Sequence, residues 1–155
     1  MSGVRIRVTP APTPAAWRAI GALKVERGRA LDARIPSVLL DVPFGLIGHH
    51  IATAFGWLWG TLWSRDEVER SHGLWVFRGM PKWTFGRGGV CVGSCFLTGD
   101  AAPSDAVLTH EAVHAEQWRH YGLLMPVLYL LAGRDPLLNR FEIEAGLEDG
   151  GYVRR

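Results

Sequence analysis

The sequence is poor in cysteine, which limits both disulfides and metal clusters. Its 155 residues contain only two, Cys91 and Cys95, and two thiols alone cannot hold an iron–sulfur cluster that needs four ligands. On a single strand, their C-x-x-x-C spacing would place both thiols on one face with a pleat between them, a poor geometry for a mutual disulfide. We therefore interpret both as buried apolar side chains.

The sequence also lacks a recognisable targeting segment and a long uninterrupted hydrophobic run. Residues 1–10 have no apolar signal-peptide core, which favours a reducing, cytoplasmic location. The most apolar long segment is Val38–Trp63, but Asp41 and Pro43 keep it from reaching the roughly 18 consecutive apolar residues of a membrane span. A buried helix or a helix on a membrane surface is therefore favoured over a transmembrane helix, so peripheral membrane contact stays open.

Charge of one sign is nowhere concentrated. The net charge is +2, with twelve basic and six acidic residues in residues 1–90 and five basic and nine acidic residues in residues 91–155. Because no basic run is dense, we expect no nucleic-acid partner. The 48% apolar content excludes a disordered chain. The length suits one domain over residues 1–155, and no internal repeat calls for a second.

Residues 1–97 predict a first short strand, two helical regions and a β region. A strand is predicted over Val4–Val8, a helix over Ala15–Arg27 that Gly28 ends, and helical structure in one or two pieces over Ser37–Trp63. Two further strands are predicted over Gly73–Arg78 and Gly89–Leu97, which are rich in β-branched and aromatic residues and are separated by glycine and proline.

From Ser104 onward, the sequence predicts only helices. One covers Ser104–Tyr121 with Ser104 as its N-cap, and a second covers Met125–Ala132 and is closed by Gly133. A third begins near Asp135 or Asn139 and runs to about Glu148. Strands followed by helices favour an α+β fold, with a small, mostly antiparallel sheet packed on the helix over Ser104–Tyr121.

That helix contains the motif that carries chemistry, His110-Glu111-x-x-His114. Residues four apart lie on one helix face, so both imidazoles can reach one ion, and imidazole is a good zinc ligand. Glu111 lies on the adjoining flank, where a carboxylate can act as a general base toward a metal-activated water. We therefore predict zinc ligands at His110 and His114 and a catalytic role for Glu111. Two inert histidines on a half-buried face are the alternative.

A third ligand is available in the later segment Phe141–Ala145. Together with His110–Gln117, this segment resembles the gluzincin branch of zinc peptidases, and especially small uncharacterised bacterial HExxH proteins with a downstream E-x-E-A segment. The resemblance covers residues 105–150 and implies that Glu142, three residues before Ala145, completes a His-His-Glu set, with Glu144 in reserve. Glu142 also fits a helix-capping arrangement with Asn139.

The chain departs from this pattern at Gly146. Many proteins of the resembled kind carry an acidic or amide residue there, which braces a ligand histidine. The departure predicts a missing brace and favours a protein that binds metal without turnover. A donor to an oxyanion could come from His120, Tyr121 or Tyr152, none of which the sequence selects.

Other residues offer weaker alternatives. We interpret His49, His50 and His72 as solvated or core-edge side chains, and the tryptophans of residues 57–83 as core or a membrane-facing collar. A di-iron carboxylate protein would need two Glu-x-x-His motifs on long helices, and the second such spacing, Glu69-x-x-His72, lies outside the predicted helices. The sequence thus predicts a zincin-like hydrolase that cleaves a peptide or protein substrate with a zinc ion. An inactive metal-binding protein and a membrane-surface interaction protein stay as alternatives.

Overall fold

The computed structural model describes residues 14–86 and 88–153, so the predicted strand over Val4–Val8 lies outside the described residues. Helices and strands in this part of the chain follow one another in the order α1 (Pro14–Asp32), α2 (Phe44–Trp63), β1 (Glu69–Ser71), β2 (Leu74–Phe77), β3 (Gly89–Val92), β4 (Cys95–Thr98), α3 (Asp105–Tyr121), α4 (Met125–Ala132) and α5 (Arg140–Ala145). Short 3₁₀ turns occupy Ser37–Leu39, Lys82–Thr84 and Gly122–Leu124.

The four strands form one small mixed sheet in the order β1-β2-β4-β3. The pairs β1–β2 and β3–β4 are antiparallel, whereas β2 and β4 run parallel. The α+β class is therefore confirmed, and the sheet expected to be mostly antiparallel contains one parallel pair. After β2 the chain first forms β3 at the edge of the sheet and then turns back, so that β4 lies between β3 and β2 and runs parallel to β2.

The sheet lies between α2 on one face and α3 on the other. Along β2, Leu74 and Val76 belong to one apolar cluster, which includes Trp118 and Phe141, whereas Phe77 belongs to a second. Partly buried tryptophans of α2 pack against this second cluster. The alternation follows from the two-residue period of a strand. Because both faces are covered, all four residues of β4 are buried.

The segment Gly89–Leu97, predicted as one strand, is a hairpin of β3 and β4. Gly93 turns the chain with a φ of +60°, as the first position of a tight two-residue hairpin loop requires. The two cysteines consequently lie on neighbouring strands, with Cys91 in one apolar cluster and Cys95 in the other. Both are free and buried, as expected, and burial raises the pKa of the Cys95 thiol to about 12.

The predicted end of the first helix at Gly28 is wrong, because α1 continues to Asp32. Gly28 does not end the helix but allows the side chain of Arg140 to pack closely against the backbone of α1. A Cβ added there would lie 2.0 Å from Cδ of Arg140, whose guanidinium reaches both carboxylate oxygens of Asp32 at 2.6 and 2.8 Å. The bare backbone at Gly28 therefore lets this buried ion pair join α1 to α5.

The helical prediction for Ser37–Trp63 is confirmed as a 3₁₀ turn followed by α2. The segment is long and apolar enough to cross a membrane by length and composition alone. The small residues of α2 face the protein core, and they allow close backbone contact. A Cβ at Gly48 would lie 2.5 Å from the backbone nitrogen of Leu123, and a Cβ at Gly60 would lie 2.4 Å from the ring of Phe77.

The three later helices occupy the predicted segments. Ser104 caps α3 by accepting a hydrogen bond from the Val107 amide, and Asn139 caps α5 by accepting one from the Phe141 amide. However, α5 ends at Ala145 rather than near Glu148. The reason is Gly146, whose φ of +97° takes the chain out of the helical conformation.

The close packing of α2 predicts a large difference between two glycine substitutions. Gly48→Ala should lower the free energy of unfolding by about 1–3 kcal/mol, because the new methyl group meets the backbone of residues 122 and 123. Gly21→Ala in α1 is the matched control, since its Cβ would meet only a side-chain methyl of Ile143 at 3.4 Å. The control should be neutral or stabilising by up to about 1 kcal/mol. Urea unfolding followed by circular dichroism measures both, and equal effects would contradict the described contact.

Candidate metal centre

The helix α3 brings two imidazoles together in the protein interior. His110 and His114 lie one turn apart on the same face, and their Nε2 atoms are 3.1 Å from each other. Only 2% of His110 and 7% of His114 is exposed. The i, i+4 spacing of the motif therefore yields two nitrogen atoms aimed at one buried point.

The short helix α5 adds a carboxylate to this point. Oε2 of Glu142 lies 3.2 Å from Nε2 of His110 and 3.5 Å from Nε2 of His114. The position of α5 is fixed by the Asn139 cap, by the fully buried Phe141 and by the ion pair between α1 and α5. Thus the long-range packing of α5 on α1 and α3 completes the site that α3 begins.

Hydrogen bonds on the far side of each ring fix the imidazole tautomers. His110 Nδ1 lies 2.9 Å from the carbonyl oxygen of Gly146, which can only accept a hydrogen bond. His114 Nδ1 lies 2.7 Å from Oε1 of Gln117, whose amide is oriented by donating to the carbonyl of Phe141. Each Nδ1 therefore donates, and each neutral ring presents the lone pair of its Nε2 to the shared point.

When both imidazoles are neutral, three electron-pair donors thus converge at one point. The two Nε2 atoms and Glu142 Oε2 are 3.1–3.5 Å apart, and this carboxylate oxygen makes no hydrogen bond within the described residues. The ligand atoms of a tetrahedral zinc site with bonds of 2.0–2.1 Å are separated by roughly 3.3–3.4 Å. The donor set therefore fits a divalent cation in both chemistry and spacing.

The electrostatics of the cluster favour a carboxylate next to positive charge. Burial acts to raise the pKa of Glu142, but contact with His110 and His114 and the hydroxyl of Tyr129 outweigh it and hold the pKa well below its usual range. Burial acts to lower the pKa of His114, but the carboxylates of Glu142 and Glu111 outweigh it and raise the pKa. A cation at the shared point would satisfy the same charge balance.

Glu111 is buried beside this cluster and is not one of its three ligand atoms. Its Oε2 has no hydrogen-bond partner among the described residues. Burial raises the pKa of Glu111, and the nearby His114 and His110 offset part of that rise. A carboxyl group with an unused oxygen and a raised pKa is suited to accepting and releasing a proton.

The other predicted residues do not join the cluster. Glu144, the reserve ligand, pairs with Arg29 at 3.2 Å. His120 pairs with Asp41, and the Tyr121 hydroxyl donates to Asp32. Glu142 is therefore the acidic residue of α5 that the fold brings to the histidines.

The remaining aromatic and histidine candidates differ in their distance from the cluster. The ring of Tyr152 lies 5.9 Å from that of His110, so it is a neighbour of the site. His49 contacts Ser94, and His72 contacts Asp105. Within the described residues, these histidines belong to no group of three metal-ligating side chains.

The expectation that Gly146 leaves a ligand histidine without a brace is wrong. The brace is the backbone carbonyl of Gly146, which any residue could supply. Sequence reasoning also missed Gln117 and Tyr129, the latter of which donates its hydroxyl to Glu142 Oε1. Gln117 could have been found, since it lies three residues after His114 on the same helix. The contact of Tyr129 depends on the packing of α4 against α5, which leaves no local signal.

Two substitutions on one helix test the identity of the third ligand. Glu142→Gln should lower zinc affinity at least about tenfold, because a neutral amide replaces the anionic donor. Glu144→Gln, only two residues away, is the matched control and should keep full affinity. Elemental analysis after dialysis and competition with a chromophoric chelator measure the effect. Loss of zinc in the control with retention in Glu142→Gln would assign the ligand to Glu144.

Comparison with known proteins does not place this chain in a family. No protein-family model matches it, and neither a curated protein nor a solved structure does. The gluzincin resemblance of residues 105–150 consequently stays a hypothesis drawn from those residues. The evidence for the site is the convergence of His110, His114 and Glu142.

Proposed function

We propose that this protein is a zinc-dependent hydrolase that cleaves peptide bonds. The observation that carries the proposal is the convergence of three oriented electron-pair donors, His110, His114 and Glu142, at one buried point. Two imidazoles and one carboxylate form a ligand set used by catalytic zinc sites, which leave a fourth position open. Nickel and iron(II) accept similar donors, so the choice of zinc as the metal is itself part of the proposal.

A bound zinc ion would supply Lewis acidity and lower the pKa of a water molecule. The chain itself supplies orientation and proton transfer. Gly146 and Gln117 hold the two imidazoles in the tautomers that ligation requires, and Tyr129 holds Glu142 by its other oxygen. Each contact fixes a ligand before the ion arrives, which reduces the entropy lost on binding.

Glu111 would transfer the proton. Its unpartnered Oε2 accepts a proton from the attacking water, and the resulting carboxylic acid gives that proton to the nitrogen of the leaving amine. Burial serves this cycle, because it raises the pKa of Glu111 above its ordinary value. A residue poised in this way can act as base and then as acid in one turnover.

A metal-binding protein without turnover is the second candidate, and the cover over the site favours it. The segment after α5 returns over His110, so that a Cβ added at Gly150 would lie 2.7 Å from its Cε1. Two cavities are lined by residues near the site, one by Gln117 and the other by Tyr152, and neither is lined by the three candidate ligands. His110, His114 and Glu142 are all buried, so binding of a peptide at the cluster would require the residues that cover it to move.

A substitution at Glu111 separates the two candidates. Glu111→Gln keeps the size of the side chain but removes the base, so zinc content should stay while peptide cleavage falls by roughly 10²–10⁴-fold. Glu116→Gln is the matched control, since Glu116 lies on the same helix but is exposed. The measurement is cleavage of a peptide library by zinc-loaded wild type and both variants at equal concentration.

Each result of this assay assigns the function differently. Cleavage by wild type and Glu116→Gln but not by Glu111→Gln supports the hydrolase. Equal cleavage by Glu111→Gln contradicts the proposed proton transfer. Stoichiometric zinc without cleavage of any library member, in all three proteins, supports the metal-binding protein.

A further inference from the structure

One face of α2 carries large apolar side chains that no part of the described chain covers. Six of them are 51% to 69% exposed and recur every three or four residues, which aligns them in one stripe: Phe44, Ile47, Ile51, Phe55, Leu58 and Leu62. No Asp, Glu, Lys or Arg occurs among the 20 residues of α2. A continuous exposed apolar surface of this kind marks an interaction site.

The sizes of the inward and outward residues of α2 indicate that this stripe faces the hydrocarbon of a lipid bilayer. The buried face consists mainly of small residues, among them Gly45, Ala52 and Gly56, whereas the large apolar residues point outward. Only 28% of the most apolar window is buried. An amphipathic helix of a protein surrounded by water has the reverse order, with large apolar residues inward. Small residues toward the protein are typical of helix packing in lipid.

A second uncharged segment adjoins α2. The turn over Gly122–Leu124 packs against Gly48 of α2 and leads directly into α4. Residues 121–133 contain no charged side chain, and four of them expose large apolar groups: Leu123, Val127, Leu130 and Leu131. The first charged residue after α2 is Arg65 and the first after α4 is Arg134, both exposed. An arginine at such a boundary can extend its guanidinium to lipid phosphates.

The fold prevents α2 from crossing a bilayer with its flanks on opposite sides. Asp32 precedes α2 and forms an ion pair with Arg140, which follows it by more than 70 residues in the sequence. Asp41, immediately before α2, contacts His120 at the end of α3. The segments on either side of α2 therefore belong to one folded body, which would lie on one side of a membrane with α2 along the membrane surface.

We infer that the stripe on α2, together with the exposed side chains of α4, is a membrane-contact face that inserts into one leaflet of a lipid bilayer. The helix lies in the membrane plane, its outward side chains enter the acyl region, and the rest of the domain stays in water. The absence of charge over the whole face is complementary to hydrocarbon. The partner is the bilayer itself, independent of any activity at the metal centre.

Vesicle flotation tests this inference on the full-length protein. Wild type should float with preformed phosphatidylcholine vesicles and with vesicles that also contain phosphatidylglycerol. Phe55→Ser/Leu58→Ser should lower the partition coefficient at least about tenfold in both, because two outward side chains no longer enter the acyl region. Leu23→Ser/Leu31→Ser is the matched control, since it changes two exposed leucines of α1. Circular dichroism and zinc content establish that each variant is folded.

Retention of wild-type binding in the control, with loss in the α2 variant, supports the membrane-contact face. Three other results overturn it. In the first, wild type stays with the aqueous fraction as a monomer in the absence of detergent. In the second, wild type is a dimer that does not float, and the α2 substitutions convert it to a monomer, which would assign the stripe to a second copy of the chain. Equal loss in both double variants also overturns the assignment to α2.

Discussion

The rest of the structure depends on the close approach of three electron-rich atoms at one buried point. Two imidazole nitrogens and a carboxylate oxygen face each other at 3.1–3.5 Å, and their lone pairs would repel without a cation or protons between them. Hydrogen bonds from the opposite side of each ring hold this arrangement in place. The interior of the domain therefore holds three donors at a point where the proposed metal ion would neutralise and join them.

The rest of the fold can be understood as support for that point. The sheet packs on α3, and the indole of Trp118 donates to the carbonyl of Cys91 to fasten the helix to β3. From the other side, α5 is attached to α1 through the pair of Arg140 and Asp32. A buried ion pair contributes little net stability because desolvation opposes it, but removing one partner is costly. Its geometric effect is to fix the helix that carries Glu142.

The part of the site that the sequence predicts is the part set by local periodicity. The spacing of His110 and His114 determines a shared helix face, and Ser104 and Asn139 are recognisable caps. Contacts made across the fold gave no such signal. Gly28 looks like a helix end because close packing against Arg140 is invisible locally, and the hairpin at Gly93 interrupts a run of strand-forming residues. The brace on His110 is a backbone carbonyl, so no residue type in the sequence indicates it.

The α+β class was predictable because the strand patterns of residues 73–97 and the helix patterns that follow from Ser104 occupy separate segments of the chain. Strand order was not predictable. The most direct test of the central claim is X-ray absorption at the zinc edge on protein loaded with one equivalent of zinc. The account predicts two imidazole ligands and one or two oxygen ligands at about 2.0–2.1 Å, with no sulfur. A sulfur shell at about 2.3 Å, which would require Cys91 or Cys95, or a zinc ion bound without imidazole, would contradict the assignment to His110, His114 and Glu142.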